Sequence, residues 1–262
     1  MADEVAAISI VRQIDHVYVP LDDARTAFTF LTEGLKLPEA WPFADYGFFG
    51  SGGVSLGNVN LEVLQGNNLP GGCPQHPARV TGIAFEPAVE IDELMRAFDS
   101  RGIPHTLPMP YVPAGSQAPL WTNVGFDVTE GAFVCKYHFD VAARRKQLKN
   151  ELDARSGGSL SVIQVAELVI GTRDQQRSIG RWSRLLDPFA QAATDLWSVG
   201  SGPAIRLVPS STDAVEYLVL RVRSLDEARD GAETAAIEVE DVDGGLSVAP
   251  KELGGLVLQL RE

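Results

Sequence analysis

The stretch Ile14-Asp15-His16-Val17-Tyr18-Val19-Pro20 reads as a strand. Behind it, Ala24, Ala27, Phe28, Leu31 and Leu35 fall on one stripe at helical spacing. Asp22 or Asp23 can cap that helix by accepting a backbone N–H, and Gly34 and Leu37-Pro38 stop it. Trp41-Pro42-Phe43 through Phe48-Phe49-Gly50 predicts an aromatic strand and turn. Ser51-Gly52-Gly53 predicts a bend into Val54–Leu56, with glycines that permit positive φ, and Gly57-Asn58 a turn into Val59–Leu64. The predicted order is strand, helix, then three strands.

That order recurs three more times. A second copy begins at Gly82-Ile83-Ala84-Phe85, carries Ile91, Leu94, Met95 and Phe98 at helical spacing, and closes at Phe133-Val134-Cys135-Lys136-Tyr137. A third runs from Val165 through a helix with Ile179, Trp182, Leu185 and Leu186 to Ala204–Val208. The fourth runs from Tyr217-Leu218-Val219-Leu220 to Leu256–Leu260. A period of about 50 residues marks an array of one supersecondary unit. Between copies lie a Gly/Asn/Pro-rich connection from Gly66 to Pro77 and a long Pro-rich loop from Pro104 to Pro119. Loops that long often serve as lids or binding segments. Asp140 to Arg155 reads as a surface helix with Val141, Leu148 and Leu152 on one side, and Ser156-Gly157-Gly158-Ser159 as a flexible linker. The expected organisation is an N-terminal domain over 1–139, a helix and linker over 140–159, and a more degenerate C-terminal domain over 160–262.

Composition narrows the function classes. The 262 residues are 45% hydrophobic and 22% charged, which suits a globular chain with a sizeable core. The net charge is −13, from 22 basic and 35 acidic residues. Such a surface repels phosphate backbones and anionic lipid, so neither nucleic acid nor a membrane is an expected partner. Apolar runs are strand-length, short of the roughly 20 residues of a membrane span. Two cysteines, Cys73 and Cys135, make no disulfide framework, and Met1 to Ala7 show no basic leader, so the expected location is cytoplasmic.

A tandem βαβββ unit that opens with Asp15-His16-Val17 and closes with Asn60-Leu61-Glu62-Val63 resembles the vicinal oxygen chelate superfamily, with its glyoxalases, extradiol dioxygenases and bleomycin-resistance proteins. The resemblance covers nearly the whole chain as fold and is strongest over residues 13 to 65. It implies an α+β fold of four βαβββ units in two glyoxalase-like domains, each with sheets curled round a cleft. It also implies that ligands to a divalent metal stand on the first and last strand of each unit. Carried over, the first unit supplies His16 and Glu62, whose imidazole and carboxylate suit Zn, Fe, Mn, Ni or Co. The second unit's opening position falls on Gly82, without a side chain, and its closing position on Cys135 or Lys136. A third ligand would have to come from His138, His105, His76, Glu86 or Cys135. In the C-terminal domain the matching residues are Glu167, Arg206, Tyr217 and Gln259; Arg206 would repel a metal, so that domain is expected to be metal-free.

Metal is not the only use for this pair. A carboxylate in an apolar cleft is pushed towards a useful general base or acid. Glu62 would then move a proton and His16 would bind metal or a developing oxyanion. If Lys136 faces the cleft, it would pair with Glu62. Trp41, Tyr46, Phe48, Phe85, Tyr111 and Trp121 are candidate substrate contacts, because apolar clefts with a few polar groups are typical ligand sites. The expectation is a small-molecule ligand, partly apolar and oxygenated, and a lyase or isomerase reaction by proton transfer, with or without metal. A metal-free sequestering protein of the resistance type is the alternative. Extradiol ring cleavage ranks below both, since Gly82 stands where a second histidine would be needed. A homodimer is compatible with either reading.

Overall fold

The computed structural model describes residues 9–47, 49–66, 74–129, 131–189 and 191–262. Its first half holds strands β1 (Val11–Pro20), β2 (Glu39–Asp45), β3 (Gly50–Ser55), β4 (Asn60–Gln65), β5 (Gly82–Pro87), β6 (Met109–Tyr111), β7 (Trp121–Gly125) and β8 (Ala132–Tyr137). The second half holds β9 (Val162–Thr172), β10 (Gln191–Ala193), β11 (Leu196–Trp197), β12 (Ala204–Pro209), β13 (Ala214–Val222), β14 (Val239–Val242), β15 (Gly245–Val248) and β16 (Leu258–Arg261). The α-helices are α1 (Ala24–Thr29), α2 (Ile91–Ser100), α3 (Val141–Ala154), α4 (Gln175–Leu186) and α5 (Leu225–Thr234).

Among the described residues the strands form two eight-stranded sheets with the same plan. The first runs β2-β3-β4-β1-β5-β8-β7-β6 and the second β10-β11-β12-β9-β13-β16-β15-β14. In each, two units meet through an antiparallel central pair, β1 with β5 and β9 with β13. Within a unit the first strand pairs in parallel with the last, as β1 does with β4 and β5 with β8. This is the α+β architecture of two tandem glyoxalase-like domains. No helix among the described residues is long and apolar enough to cross a membrane.

α1 packs against β3 and β4, α4 against β12, and α5 against β14, β15 and β16. Asp23 caps α1 by accepting from the Thr26 N–H at 3.0 Å, and α1 continues as a π-helical turn over Phe30–Gly34. Val17, Val19, Ile83, Phe85 and Val134 point into a core that extends through both halves. Phe85 packs against Phe126 and against Trp182 of α4. Trp182 and Trp197 are buried in that core.

Three local expectations need correction. Gly52 and Gly53 do not make a bend; they lie inside β3. A Cβ on Gly52 would fall 2.6 Å from the Phe28 ring, and one on Gly53 2.4 Å from the Trp41 ring. They are glycine because two aromatic rings lie flat on the strand. Gly57, with φ +96°, is the turn glycine. The Pro-rich loop contains the short edge strand β6. The Ser156–Ser159 segment is tied down: Ser159 N and Oγ donate to Leu35 O and Gly34 O at 2.9 Å each. The connection around 67–73, with Cys73, and Met1 to Ala7 lie outside the described residues.

Candidate functional site

β1 carries the site, and an irregularity in β1 shapes it. Ile14 pairs with Phe85 and His16 with Ala84, so β1 has one more residue than β5 between those pairs. Such a β-bulge re-aims a side chain. Asp15 and His16 are consecutive, yet Asp15 Oδ2 lies 2.8 Å from His16 Nδ1. Regular alternation would send them to opposite faces.

β4 brings the second group. His16 sits opposite Asn60 and Tyr18 opposite Glu62, which puts His16 and Glu62 on one face of the sheet. His16 Nε2 stands 3.4 Å from Glu62 Oε2. The other oxygen, Oε1, accepts from Ser51 Oγ on β3. Trp41 Nε1 donates to that same Ser51 Oγ at 3.1 Å. On the far side, Tyr137 of β8 donates its hydroxyl to Asp15 Oδ2 at 3.1 Å. One polar chain thus runs from Trp41 through Ser51, Glu62, His16 and Asp15 to Tyr137. The side chains of His16 and Glu62 keep only 6% and 13% of their exposure.

Burial and charge set the protonation states. Burial raises the Glu62 carboxyl; the His16 charge and the Ser51 hydrogen bond pull it back, and the net direction is up. Burial draws the His16 imidazole down, but the Asp15 hydrogen bond and the Glu62 and Asp15 charges outweigh it, so it ends raised. Burial pushes the Asp15 carboxyl up, yet its bonds to His16 and Tyr137 and the His16 and Arg145 charges leave it lowered. Burial thus disfavours the ionised form of Glu62, while Asp15 and Glu62 favour the protonated form of His16.

Aromatic rings close the cleft. Tyr111 stacks on Trp121 with centroids 4.2 Å apart, and Tyr46 meets their edges at 5.7 and 5.9 Å. Tyr46 follows β2 and Tyr111 lies on β6, the two outermost strands, so these contacts show a sheet curled until its edges meet. Burial, then the Glu62 and Tyr111 charges, raise the Tyr46 hydroxyl. Trp41 and Phe133 pack edge-on against His16 at 5.8 and 5.6 Å.

Not every expected residue joins this group. Phe85 has the opposite strand parity and lies in the core, not the cleft. Lys136 faces α2 and pairs with Glu90, so the proposed Glu62–Lys136 pair does not form. Cys135 and Phe133 occupy the cleft face of β8 instead. Phe48 lies outside the described residues. His138 is bound to Thr122 at 2.9 Å, His105 to Asp99 at 3.2 Å and His76 to Asp22 at 3.1 Å. Asp15, Ser51, Tyr137 and Arg145 were not legible as site residues. The adjacent acid in Asp15-His16 was the one signal for any of them.

The donor set around His16 is short for a divalent metal. The Asp15–His16 contact is the kind that orients a metal-bound imidazole, and Glu62 stands beside Nε2. A catalytic metal commonly takes three protein ligands and leaves one position open. The facing half cannot supply the third. A Cβ on Gly82 would lie 1.9 Å from the Tyr18 ring, so the phenol fills the space a ligand side chain would use. Ala84, directly opposite His16, also lacks a donor. Among the described residues no three His, Cys, Asp or Glu side chains are arranged to hold an ion. The residues present do not fit the group.

Several solved structures share this fold. The Mn(II)-bound glyoxalase from Novosphingobium aromaticivorans superposes with a TM-score of 0.61 at 14% identity, covering 97% of this chain and 82% of its own. An extradiol ring-cleaving dioxygenase from B. fuscum gives 0.64 at 11%, covering 100% and 74%. The 2,3-dioxygenase LapB from Pseudomonas sp. KL28 gives 0.59 at 12%, covering 96% and 92%. No sequence-family profile matches the chain, and curated proteins include no match in sequence. The chain has the fold of the vicinal oxygen chelate superfamily, to which the glyoxalases and extradiol dioxygenases belong. At these identities the likeness establishes fold alone, and function has to be argued from the site.

Proposed function

We propose that the first half is a proton-transfer site for a small, partly apolar carbonyl compound, working as a lyase or isomerase without a metal. The observation that supports this best is the buried Glu62 carboxyl 3.4 Å from an imidazole that Asp15 holds. Glu62, raised by burial, is suited to remove a proton from the carbon next to the carbonyl. As the proton leaves, charge grows on the carbonyl oxygen. His16, held protonated by Asp15, donates from Nε2 to that oxygen and stabilises the enolate. Ser51 keeps Glu62 aimed through Oε1. Trp41, Tyr46, Tyr111 and Trp121 supply the apolar wall for the rest of the molecule.

Ring cleavage of the extradiol type is disfavoured by the same residues. Its metal takes two histidines and a carboxylate, and Gly82 beside the Tyr18 ring leaves no place for the second histidine. The aromatic closure over the cleft favours one other reading, tight binding without turnover. Deuterium exchange separates the two. Aryl ketones and 2-oxo acids incubated with the protein in D2O should exchange the hydrogen next to the carbonyl, and Glu62→Gln should abolish it. Stoichiometric binding of the same compounds, with exchange no faster than in Glu62→Gln, would assign the cleft to sequestration.

A further inference from the structure

β8 leads into α3, and Arg145 of α3 turns back to Asp15. Its Nη2 donates to Asp15 Oδ1 at 3.2 Å and to Glu86 Oε2 of β5 at 2.8 Å. With the Gln13 amide turned so that its oxygen faces the guanidinium, that oxygen accepts from Nε, Nη1 and Nη2 at 2.6 to 2.8 Å. The Gln13 nitrogen then donates to Ser201 Oγ of the second half at 2.5 Å. Arg144, the preceding residue, ties α3 to the backbone oxygens of Glu39 and Ala40 at the start of β2. α3 thus spans the first sheet from β8 to β2, and it is not merely a surface helix.

The two oxygens of Asp15 have separate partners. Oδ1 faces Arg145; Oδ2 faces His16 and Tyr137. With Arg145 Nη2 on Oδ1 and the Tyr137 hydroxyl on Oδ2, both ends of the carboxylate are held, and together they set its plane. That plane sets the direction of Oδ2, and Oδ2 sets the imidazole ring. We propose that Arg145 is a positioning residue that acts through Asp15 on His16, and that the Gln13–Ser201 contact makes the second half part of that support. The inference rests on the reading of His16 and Glu62 as the working pair. It gives the second half a task that its own Glu167–Arg206 pair does not perform.

The test reads the ring itself, so turnover does not enter it. The ionisable groups around His16 are Asp15 on β1, Glu62 on β4, Glu86 on β5, Cys135 and Tyr137 on β8, Tyr46 after β2, and Arg145 on α3. The full chain with 15N-labelled histidine is followed by NMR from acid to alkaline pH, with His16 assigned by its loss in His16→Gln. In the wild type, neutral His16 is expected to carry its proton on Nδ1 and to show a low-field N–H resonance. In Arg145→Met that resonance should be lost and the neutral ring should become a mixture of tautomers, with circular dichroism unchanged. Arg145→Lys keeps the charge without the fork and should lose part of the same signal. A folded Arg145→Met protein with the wild-type tautomer and resonance would overturn the proposal and leave Arg145 as a tie for α3. Should Arg145→Met fail to fold, Arg145→Lys decides: an unchanged resonance overturns the proposal, a weakened one supports it. If carbonyl exchange is absent while the resonance still depends on Arg145, the functional reading fails and the positioning role stands.

Discussion

His16 and Glu62 in the first sheet have register counterparts in the second. His16 pairs with Asn60 and Glu62 follows two residues on; Glu167 pairs with Ala204 and Arg206 follows two residues on. The backbone offers the same two positions, and the side chains make opposite uses of them. Arg206 donates from Nε and Nη2 to both oxygens of Glu167 at 2.6 and 2.8 Å, which occupies the carboxylate. The Glu167 hydrogen bond raises the Arg206 guanidinium further, so it stays charged. In the first sheet the imidazole and carboxylate stand 3.4 Å apart, and burial disfavours the ionised acid. The same scaffold carries a closed ion pair in one sheet and a buried imidazole–carboxylate pair in the other. Asp15, His16 and Glu62 of the first sheet have Ala166, Glu167 and Arg206 at the matching positions of the second, on the same fold.

The largest expected effect is on turnover. Glu62→Gln should slow carbonyl exchange by about 10²- to 10⁴-fold, the usual contribution of a general base, while Glu167→Gln leaves it unchanged. A loss from Glu167→Gln, measured by NMR in D2O, would mean that the second sheet holds the working site.

Stability should divide the sheets as well. His16→Ala leaves the buried Asp15 with one partner fewer and should cost about 2–3 kcal/mol in denaturant unfolding. Arg206→Met breaks a pair that is a quarter to a third exposed and should cost about 1 kcal/mol or less. Equal costs would remove the distinction in burial. Gly82→Ala should cost about 1–3 kcal/mol, since its Cβ would overlap the Tyr18 ring. The double variant Tyr18→Ala, Gly82→His places an imidazole in the freed space and should bind Ni(II) more tightly than wild type by calorimetry. No gain would show that Tyr18 is not what closes that half of the site.

The smallest effect is a pH dependence with a defined sign. His16 is raised above its ordinary 6.5, so its stabilising contribution is complete below that pH and is lost as pH rises through the folded value. Asp15 is lowered below 3.8, so its contribution is present above that pH and is lost as pH falls through the folded value. The wild-type advantage over His16→Ala should therefore shrink on the alkaline side of neutrality. An advantage that grew there would contradict the Asp15–His16 contact.

Particular residues show how far the sequence could be read. The repeat and the strand–helix–three-strand order were legible because hydrophobic period is a local property. His16 and Glu62 were legible because each sits at the edge of its repeat. Phe85 and Lys136 were misplaced because strand alternation is strict, and one residue of register moves a side chain to the other face. Adjacent strand residues normally point apart, and a bulge that only pairing with β5 reveals brings Asp15 beside His16. Gly52-Gly53 looked like a bend because the Phe28 and Trp41 rings that require them are distant in sequence.

The sequence by itself determined four strand-rich units, their order, and an imidazole and a carboxylate in the first of them. Those are consequences of local pattern and residue chemistry. Only the tertiary structure decided that Tyr18 fills the space beside Gly82, that Tyr46 and Tyr111 bring the outer strands together, and that Arg145 reaches Asp15 from 130 residues away. Each depends on side chains meeting across strands and halves, and such meetings are fixed by packing, not by the order of residues along the chain.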